Sequence, residues 1–374
     1  MYGHHIKEFK IFIASNFTIG KGDFVKIYIN GRFLTQSITG VQRYALEMTK
    51  AIDEIIGNDK DLQRNEYVII TPQNILYSPE LKNIRIIRKG IFCGHAWEQL
   101  ELPLYAFDGF LINFCGCAPL LKLNQTVTIH DAAVSAMPNS FSLAFRMWYK
   151  LMFIWLGRSL KHIFTVSEFS KKELHKYYGI PLSKISVTYN GIDHIKRLKA
   201  DEGIIARESL KDKKYVLAVS SMNPSKNFPL VLDVARLMPD VEFIIAGGSN
   251  AKVFKSAGLD VPQNARLIGY VSDEELMALY RHASVFVYPS LYEGFGIPPL
   301  EAMMCGCPAI VSDIEVFHEV YGDSVEYCDC YSVTKWKQVI ENVLTDKKKY
   351  YMDICQCTKL YTWNNTAKLV LNIF

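Results

Sequence analysis

The chain has 374 residues, which corresponds to two or three domains at about 150 residues each. Hydrophobic residues make up 49% and charged residues 21%, proportions that exclude a disordered chain, a collagen and a coiled coil. The net charge of +4, from 42 basic and 38 acidic side chains, favours anionic partners such as phosphates but is too small for a dedicated nucleic-acid binder, so no nucleic-acid partner is expected.

The N-terminal segment and the cysteines indicate in which cellular compartment the protein is expected. No stretch reaches the ~18 uncharged apolar residues of a membrane-spanning helix, and the first residues, MYGHHIKEFK, lack the parts of a signal peptide. Eight of the nine cysteines form C-x-C pairs, which begin at Cys115, Cys305, Cys328 and Cys355. Structural zinc usually takes C-x-x-C spacing instead. We therefore expect free, mostly buried thiols and a cytoplasmic protein.

Apolar runs of strand length alternate with helical patterns through the first half of the chain. Strands are predicted at 24–29, 66–70, 109–114, 126–129, 162–166 and 185–189. These runs are rich in Ile, Val, Phe and Tyr with little alternation, as in a parallel sheet covered on both faces. A helix is predicted at 41–56. The pattern predicts βαβ units in an N-terminal domain of residues 1–192.

A charged segment, 193–213, interrupts the pattern and is predicted to be a linker. A second domain is predicted over 214–356. Its strands are expected at 215–220, 241–247, 265–269, 285–290 and 308–312, and its helices near 228–238 and 273–282. Ser272 and Glu275 form a capping box at the start of the second helix. The predicted class is α/β, with two Rossmann-like, doubly wound parallel sheets facing across a cleft that binds the ligand.

Residues 288–308, YPSLYEGFGIPPLEAMMCGCP, carry the clearest chemical signal. A strand is predicted to end near Ser290, and a glycine-bearing loop follows it. A helix then opens at Pro298, since the fixed φ of proline suits the first turn, and Gly306 ends it.

This loop and helix form an expected anion site. Backbone N–H groups from Gly294 to Ile297 and the helix N-terminus suit a diphosphate. The carboxylate of Glu301 in the first turn can accept hydrogen bonds from a ribose diol. A lone acidic residue there could simply complement the helix dipole. The density of glycine and proline between Glu293 and Glu301 favours a functional role.

The segment E-G-F-G-I-P-P-L-E-A-M, with seven residues between its glutamates, resembles the signature of glycosyltransferase family 4, retaining enzymes of the GT-B fold. Further segments in matching order resemble other parts of this family: T-G-V-Q-R-Y at 39–44, I-H-D at 129–131, T-V-S-E-F-S-K at 165–171 with N-G-I-D at 190–193, P-S-K-N at 224–227 and W-N-N-T-A at 363–367. The last resembles the start of a closing helix, 357–374 here, which in this family packs back on the first domain.

The resemblance implies a role for each matching position. Glu293 would contact the donor sugar and His130 would lie beside its reacting carbon. The implied diphosphate-binding residues are Gly40, Lys226, Phe295, Gly296 and Ile297. The implied nucleoside-binding residues are Glu301, Val271 and Ser221. Many relatives carry arginine where this chain has Ser221, so neutralisation of the diphosphate would rest more on Lys226 or on another basic residue.

The resemblance also implies a mechanism. The acceptor oxygen would attack from the same face as the leaving group, whose phosphate would take the proton, and the site would mainly stabilise developing charge. No D-x-D lies in a suitable loop and no H-E-x-x-H is found, so neither a metal nor another cofactor is expected.

Residues 145–161, FRMWYKLMFIWLGRSLK, permit two interpretations. As a helix, the segment gathers four basic residues within about one third of its circumference. It is either a largely buried helix whose basic stems reach water, or a surface helix in the interface of an anionic membrane, where a lipid-linked acceptor would be found.

The expected function is transfer of a sugar from a nucleotide diphosphate donor to a growing, lipid-linked surface glycan such as O-antigen or capsule. The expected location is the cytoplasm, either free or peripheral at the inner face of the cytoplasmic membrane. GDP-mannose is the first donor to test, because the N-terminal loop resembles that of mannosyl- and rhamnosyltransferases. Two alternatives stay open: a nucleotide-sugar epimerase of the same fold, and a non-catalytic protein that binds nucleotide sugars or glycans.

Overall fold

The computed structural model describes residues 24–219, 223–247, 260–346 and 359–374, and it contains two parallel sheets flanked by helices. The strands of the first sheet are β1 (Lys26–Asn30), β2 (Glu66–Thr71), β3 (Arg85–Arg88), β4 (Phe110–Asn113), β5 (Gln125–Thr128), β6 (Ile163–Thr165) and β7 (Ile185–Val187). They lie in the order β3-β2-β1-β4-β5-β6-β7, and every pair is parallel. The order therefore reverses between β1 and β4.

The second sheet repeats this arrangement. Its strands are β8 (Tyr215–Val219), β9 (Glu242–Ala246), β10 (Ala265–Gly269), β11 (Val285–Tyr288), β12 (Ala309–Ser312) and β13 (Glu326–Cys328). Their order is β10-β9-β8-β11-β12-β13, again all parallel, so the reversal lies between β8 and β11. The two sheets confirm the predicted α/β class with two Rossmann-like halves.

Helices cover the faces of both sheets. Those of the first half are α1 (Gly40–Asn58), α2 (Gly94–Ala96, continued by a π-helical Trp97–Glu101 and by Leu102–Tyr105), α3 (Ala133–Ala136), α4 (Leu143–Ser159) and α5 (Glu168–Tyr178). Those of the second half are α6 (Gly203–Arg207), α7 (Phe228–Arg236), α8 (Asp273–His282), α9 (Ile297–Met304), α10 (Glu315–Tyr321), α11 (Val333–Thr345) and α12 (Trp363–Leu371). None of the helices described here is both long and apolar enough to cross a membrane.

Most predicted elements lie within one to three residues of those observed, but two strands were missed. These are β3 and β13, and each forms one edge of a sheet. The sequence of β3, RIIR, is short and begins and ends with exposed arginines, so it lacks the continuous apolar run of a central strand. β13 has three residues and only Cys328 is buried. Edge strands bury less side-chain surface, and their sequence signal is correspondingly weak.

Two local predictions about helix ends are confirmed. The Ser272 hydroxyl accepts a hydrogen bond from the Glu275 N–H, and the Glu275 carboxylate accepts one from the Ser272 N–H, so α8 begins with a capping box. Helix α9 opens at Ile297, directly before the two prolines, and ends before Gly306, whose φ is 81°. Glycine adopts that left-handed backbone without strain.

The closing helix α12 packs against α1 of the first domain. The Trp363 N–H donates to Asp193 at 2.9 Å, which caps the start of the helix. The Thr366 hydroxyl donates to the Tyr189 carbonyl at 2.5 Å. The C-terminal end of the chain is thereby attached to the segment that leaves the first sheet.

Candidate active site

The two chemistry-bearing loops of the second domain lie at its topological switch point. Lys226 follows β8, in a 3₁₀ turn at Pro224–Lys226, and Glu293 follows β11. The Leu291 N–H donates to the Ser225 carbonyl at 2.7 Å and joins the two loops. Open parallel sheets bind ligands in this crevice, because the flanking connections diverge to opposite faces there.

Lys226 and Glu293 form an ion pair in this crevice. The Lys226 ammonium lies 2.5 Å from the Glu293 carboxylate and 3.2 Å from the Tyr288 hydroxyl. The side chain of Lys226 is 25% exposed and that of Glu293 is 12% exposed. A partly buried pair is screened less by water than a surface pair. The two charges therefore attract each other strongly, and the pair holds the Lys226 ammonium where a diphosphate is expected.

The first domain forms the opposite wall of the crevice. A Cβ atom on Gly294 would lie 2.7 Å from the His130 carbonyl oxygen and 3.1 Å from Asp131 Cβ, so only glycine permits this close approach. The hydroxyls of Ser167 and Ser170 donate to the Gly294 carbonyl at 2.7 and 3.2 Å. The loop that carries Glu293 is thus held against the end of β5.

Asp131 is a site residue to which the sequence analysis assigned no role. Burial raises the pKa of its carboxyl group, and the nearby negative charge of Glu293 raises it further, whereas Lys226 opposes the shift. Asp131 therefore belongs to the same charge cluster as Lys226 and Glu293. Its position directly after His130 was the only sequence signal that could have identified it.

His130 lies at the carboxyl edge of the first sheet. Its Nε2 is 2.7 Å from the Phe114 carbonyl, which can only accept, so Nε2 carries the proton and Nδ1 keeps its lone pair. The ring packs edge-on against Tyr44 with centroids 4.8 Å apart. Burial lowers the pKa of His130 to about 4, so this side chain is neutral near pH 7.

This shift predicts a pH dependence of stability. Between pH 6.5, the ordinary pKa of histidine, and about 4, the unfolded chain binds a proton at His130 that the folded chain does not. The free energy of unfolding should therefore fall as the pH drops through this window. In urea unfolding above and below pH 6.5, His130→Gln should lose less stability than the wild type. His162, whose pKa is also lowered to about 4 by burial, accounts for part of the fall that remains. An equal loss in both proteins would contradict the assignment.

Glu301 is held by a chain of buried hydrogen bonds. The Trp363 Nε1–H donates to His194 Nδ1 at 3.2 Å, which places the His194 proton on Nε2. That nitrogen donates to one Glu301 oxygen at 3.0 Å, and the Tyr280 hydroxyl donates to the other at 3.3 Å. Burial opposes ionisation of Glu301, but the hydrogen bonds and the nearby Arg43 charge keep the pKa of its carboxyl group below the ordinary value. An ionised carboxylate accepts about four hydrogen bonds, so Glu301 retains capacity for ribose hydroxyls.

Three of the groups around Glu301 had no role predicted from the sequence: Arg43, His194 and Tyr280. Arg43 lies in the T-G-V-Q-R-Y segment and forms an ion pair with Asp273 across the cleft, at 2.5 Å. His194 directly follows N-G-I-D. Arg43 lies within a segment that resembles the family and His194 adjoins one, and this resemblance was the sequence signal that could have identified them as site residues. Tyr280 had no such signal, because its orientation toward Glu301 depends on how α8 packs against α9.

The remaining predicted residues lie around the same cleft. α1 begins at Gly40 without a side-chain cap from Thr39, so its first N–H groups are available to an anion. Phe295 and Ile297 are buried, and the Gly296 carbonyl accepts from the Tyr321 hydroxyl at 2.6 Å.

Two further predicted residues bear on the nucleoside end of the site. Val271 lies between β10 and α8 and is partly buried against the core. Ser221 lies outside the described residues. The donors expected at the α9 N-terminus are fewer than a regular helix offers, because Pro298 and Pro299 carry no N–H.

Comparisons with known proteins agree with this arrangement. A family model described as "Glycosyltransferase Family 4" matches residues 104–196, and one described as "Glycosyl transferases group 1" matches residues 201–355. The O-antigen chain mannosyltransferase RfbU of Salmonella typhimurium is 28% identical over 84% of this chain and 90% of its own length. O-antigen chain mannosyltransferase B of Escherichia coli is 30% identical over 58% of this chain and 61% of its own length.

The fold is also shared with solved structures. HepE of Anabaena superposes with a TM-score of 0.70 over 94% of this chain and all of its own, at 15% sequence identity. This likeness concerns the fold alone. With both sheets, the cleft between them and the two family models in agreement, the chain belongs to glycosyltransferase family 4 and has the GT-B fold.

Proposed function

We propose that this protein is a retaining mannosyltransferase that transfers mannose from GDP-mannose to a growing, lipid-linked surface glycan such as an O-antigen or a capsule. The observation that carries the proposal is the Lys226–Glu293 pair at the switch point, with His130 and Asp131 directly opposite. The names of the similar proteins, O-antigen mannosyltransferases of Salmonella and Escherichia, support mannose and the pathway.

In this proposal each side chain has a distinct task. Lys226 would stabilise the negative charge that grows on the departing phosphate, an electrostatic role that matters most in the transition state. Glu293 would accept hydrogen bonds from hydroxyls of the donor sugar, and Glu301 would accept them from the ribose. His130, neutral and with Nδ1 free to accept, would orient the sugar near its reacting carbon. The acceptor hydroxyl would attack from the face of the leaving group, whose phosphate would take its proton.

Donor binding tests the first part of the proposal. GDP-mannose should raise the melting temperature of the protein more than UDP- or dTDP-sugars, since binding to the folded state stabilises it by mass action. HepE, which shares only the fold, was solved with UDP-glucose, so UDP-glucose is the natural competitor to include. A larger shift with a UDP-sugar would overturn GDP-mannose as donor.

Product analysis tests the reaction itself. With acceptor, we expect an α-mannoside from the α-linked donor, observed by NMR, and turnover without added Mg²⁺ or Mn²⁺. A β-linked product would overturn retention. Epimerised donor in the absence of acceptor would support an epimerase instead, and donor binding without turnover under any acceptor would support a binding protein.

We further propose that α4 contacts an anionic membrane from the cytoplasmic side. The structure leaves an apolar stripe of this helix in solvent rather than burying most of it: Leu143, Met147, Leu151 and Trp155 are exposed and lie four residues apart. The Trp155 Nε1–H donates to the Leu120 carbonyl at 3.0 Å, which brings the exposed Leu121 and Leu123 beside the stripe.

The position of α4 suits a lipid-linked acceptor. The turn Pro138–Ser140, just before α4, contacts the turn Pro224–Lys226, which carries the proposed phosphate-binding lysine. Arg146, Lys150 and Arg158 add basic charge to the helix. Each basic side chain near an anionic surface contributes about 1 kcal/mol, and an apolar stripe of this kind lies in the headgroup region.

Vesicle flotation tests the membrane contact. The protein should float with phosphatidylglycerol-containing vesicles and less with neutral ones, and binding should weaken in high salt. Leu151→Glu should reduce the bound fraction roughly tenfold, because burial of a leucine contributes about 1.5–3 kcal/mol. Leu237→Glu, at an exposed leucine of the second domain, is the matched control. Equal flotation of both variants would overturn the assignment to α4.

A further inference from the structure

We propose that His95, Glu98 and Cys117 bind a zinc ion in the first domain, beside the ends of β1 and β4. One ligand atom from each residue, an imidazole nitrogen, a carboxylate oxygen and the thiol sulfur, lies within 4.8 Å of the other two. Ligand atoms of one Zn²⁺ lie somewhat closer together than this limit, because the ion binds nitrogen at about 2.0–2.1 Å and sulfur at about 2.3 Å, so small side-chain rotations would bring the three onto one ion.

Two separate segments supply the three ligands. His95 and Glu98 lie three residues apart on α2 and therefore share one face of the helix. Cys117 comes from the loop after β4. Gln99 links the two segments, since its Nε2 donates to the Ala118 carbonyl at 3.0 Å and its Oε1 accepts from the Leu120 N–H at 3.0 Å. The ligand positions are thus set by hydrogen bonds that do not involve the ligands.

The Glu98 carboxylate provides an independent indication that a cation belongs here. Its side chain is 1% exposed, and Oε1 accepts from Asn30 at 2.8 Å and lies 3.2 Å from the Arg32 guanidinium. Oε2 is buried without a hydrogen-bond partner, and it lies 3.4 Å from His95 Nδ1, which is also buried without one. Unpaired buried polar atoms are costly, and a cation between them would satisfy both.

The chemistry of the ligands favours zinc. Thiolate, imidazole and carboxylate together are typical zinc ligands, whereas Ca²⁺ and Mg²⁺ prefer oxygen alone. On binding, the Cys117 thiol would release its proton to solvent and donate a sulfur electron pair to the metal. The Tyr149 hydroxyl, 3.1 Å from this sulfur, could then donate a hydrogen bond to the thiolate and support it. The His95 side chain is 42% exposed, so the ion has a path to the site.

A metal-free explanation exists for part of the cluster. A protonated His95 could pair with Glu98 beside the existing Arg32 contact. That arrangement would leave Cys117 without any role in the binding of a cation. Removal of the sulfur therefore separates the two explanations.

Metal analysis of the purified full-length protein is the test. We expect about one zinc per chain by mass spectrometry, and Co²⁺ added to the zinc-free protein should produce a thiolate-to-cobalt charge-transfer band. Cys117→Ser should abolish the band and His95→Ala should weaken metal affinity by more than the ~10–100-fold that loss of an outer partner costs. Cys115→Ser, two residues away and outside the cluster, is the matched control and should keep both signals.

The outcomes are separable even if one variant folds poorly. His95 is substantially exposed, so His95→Ala should fold, and the cobalt band is measured on the wild type as well. A wild-type protein with neither zinc nor a cobalt band would overturn the proposal. So would a band that Cys117→Ser leaves unchanged, since the sulfur would then come from another cysteine.

Discussion

Lys226→Ala should lower kcat/KM by about 10²–10³-fold, the usual loss when one pre-organised group that stabilises developing charge is removed. Most of the loss should fall on kcat, because the lysine charge matters most as the phosphate departs. Steady-state kinetics with saturating acceptor and varied donor would measure both kcat and kcat/KM. The variant also leaves Glu293 without its ion-pair partner, so weaker donor binding should accompany the slower turnover.

Lys213→Ala is the matched control for this experiment. Lys213 precedes β8 and pairs with Glu242 at 3.3 Å, but it is 47% exposed and lies at the amino end of that strand, away from the cleft. The Lys213→Ala variant should retain wild-type kinetics, since exposed ion pairs contribute little to stability. Wild-type kcat in Lys226→Ala would remove this lysine from the mechanism.

Glu301→Gln should weaken donor binding by roughly 10–100-fold, because hydrogen bonds to a charged group contribute about 1.5–3 kcal/mol. The amide keeps the size of the side chain but loses the charge that two ribose hydroxyls would use. Calorimetry with the nucleotide donor measures the change directly. Unchanged affinity would count against the ribose role.

A second variant separates binding of the ribose from positioning of Glu301. Trp363→Phe removes the Nε1–H that holds His194 in the tautomer that donates to Glu301. It should weaken donor binding less than Glu301→Gln does, and combining the two should add little, because both act through one carboxylate. Thermal unfolding of each variant checks that the fold is retained. Fully additive losses would show that Trp363 acts by another route.

Local sequence patterns identified most of the scaffold. Continuous apolar runs predicted the central strands because these strands are buried on both faces, and the capping box at Ser272 and Glu275 predicted the start of α8 because its hydrogen bonds are local. The edge strands β3 and β13 escaped prediction, since they bury little side-chain surface and pair on one side only.

The chemistry-bearing segments were also readable, but their partners were not. Glu293 and Glu301 could be singled out from the glycines and prolines between them. That Glu293 pairs with Lys226, 67 residues earlier, and that His194 holds Glu301 from 107 residues away, depends on the packing of separate elements. The same is true of His95, Glu98 and Cys117, which share no spacing characteristic of a zinc motif.

Periodicity, caps and contiguous motifs are local properties, so the two parallel sheets, the position of the glycine-rich loop and the family of the chain could all be predicted from the residues alone. Three features could not: Asp131 opposite Glu293, Arg43 beside Glu301 and the exposed stripe of α4. They depend on the fold, because parallel sheets bring the carboxyl ends of distant strands to one edge and contacts in the cleft join residues far apart in the chain.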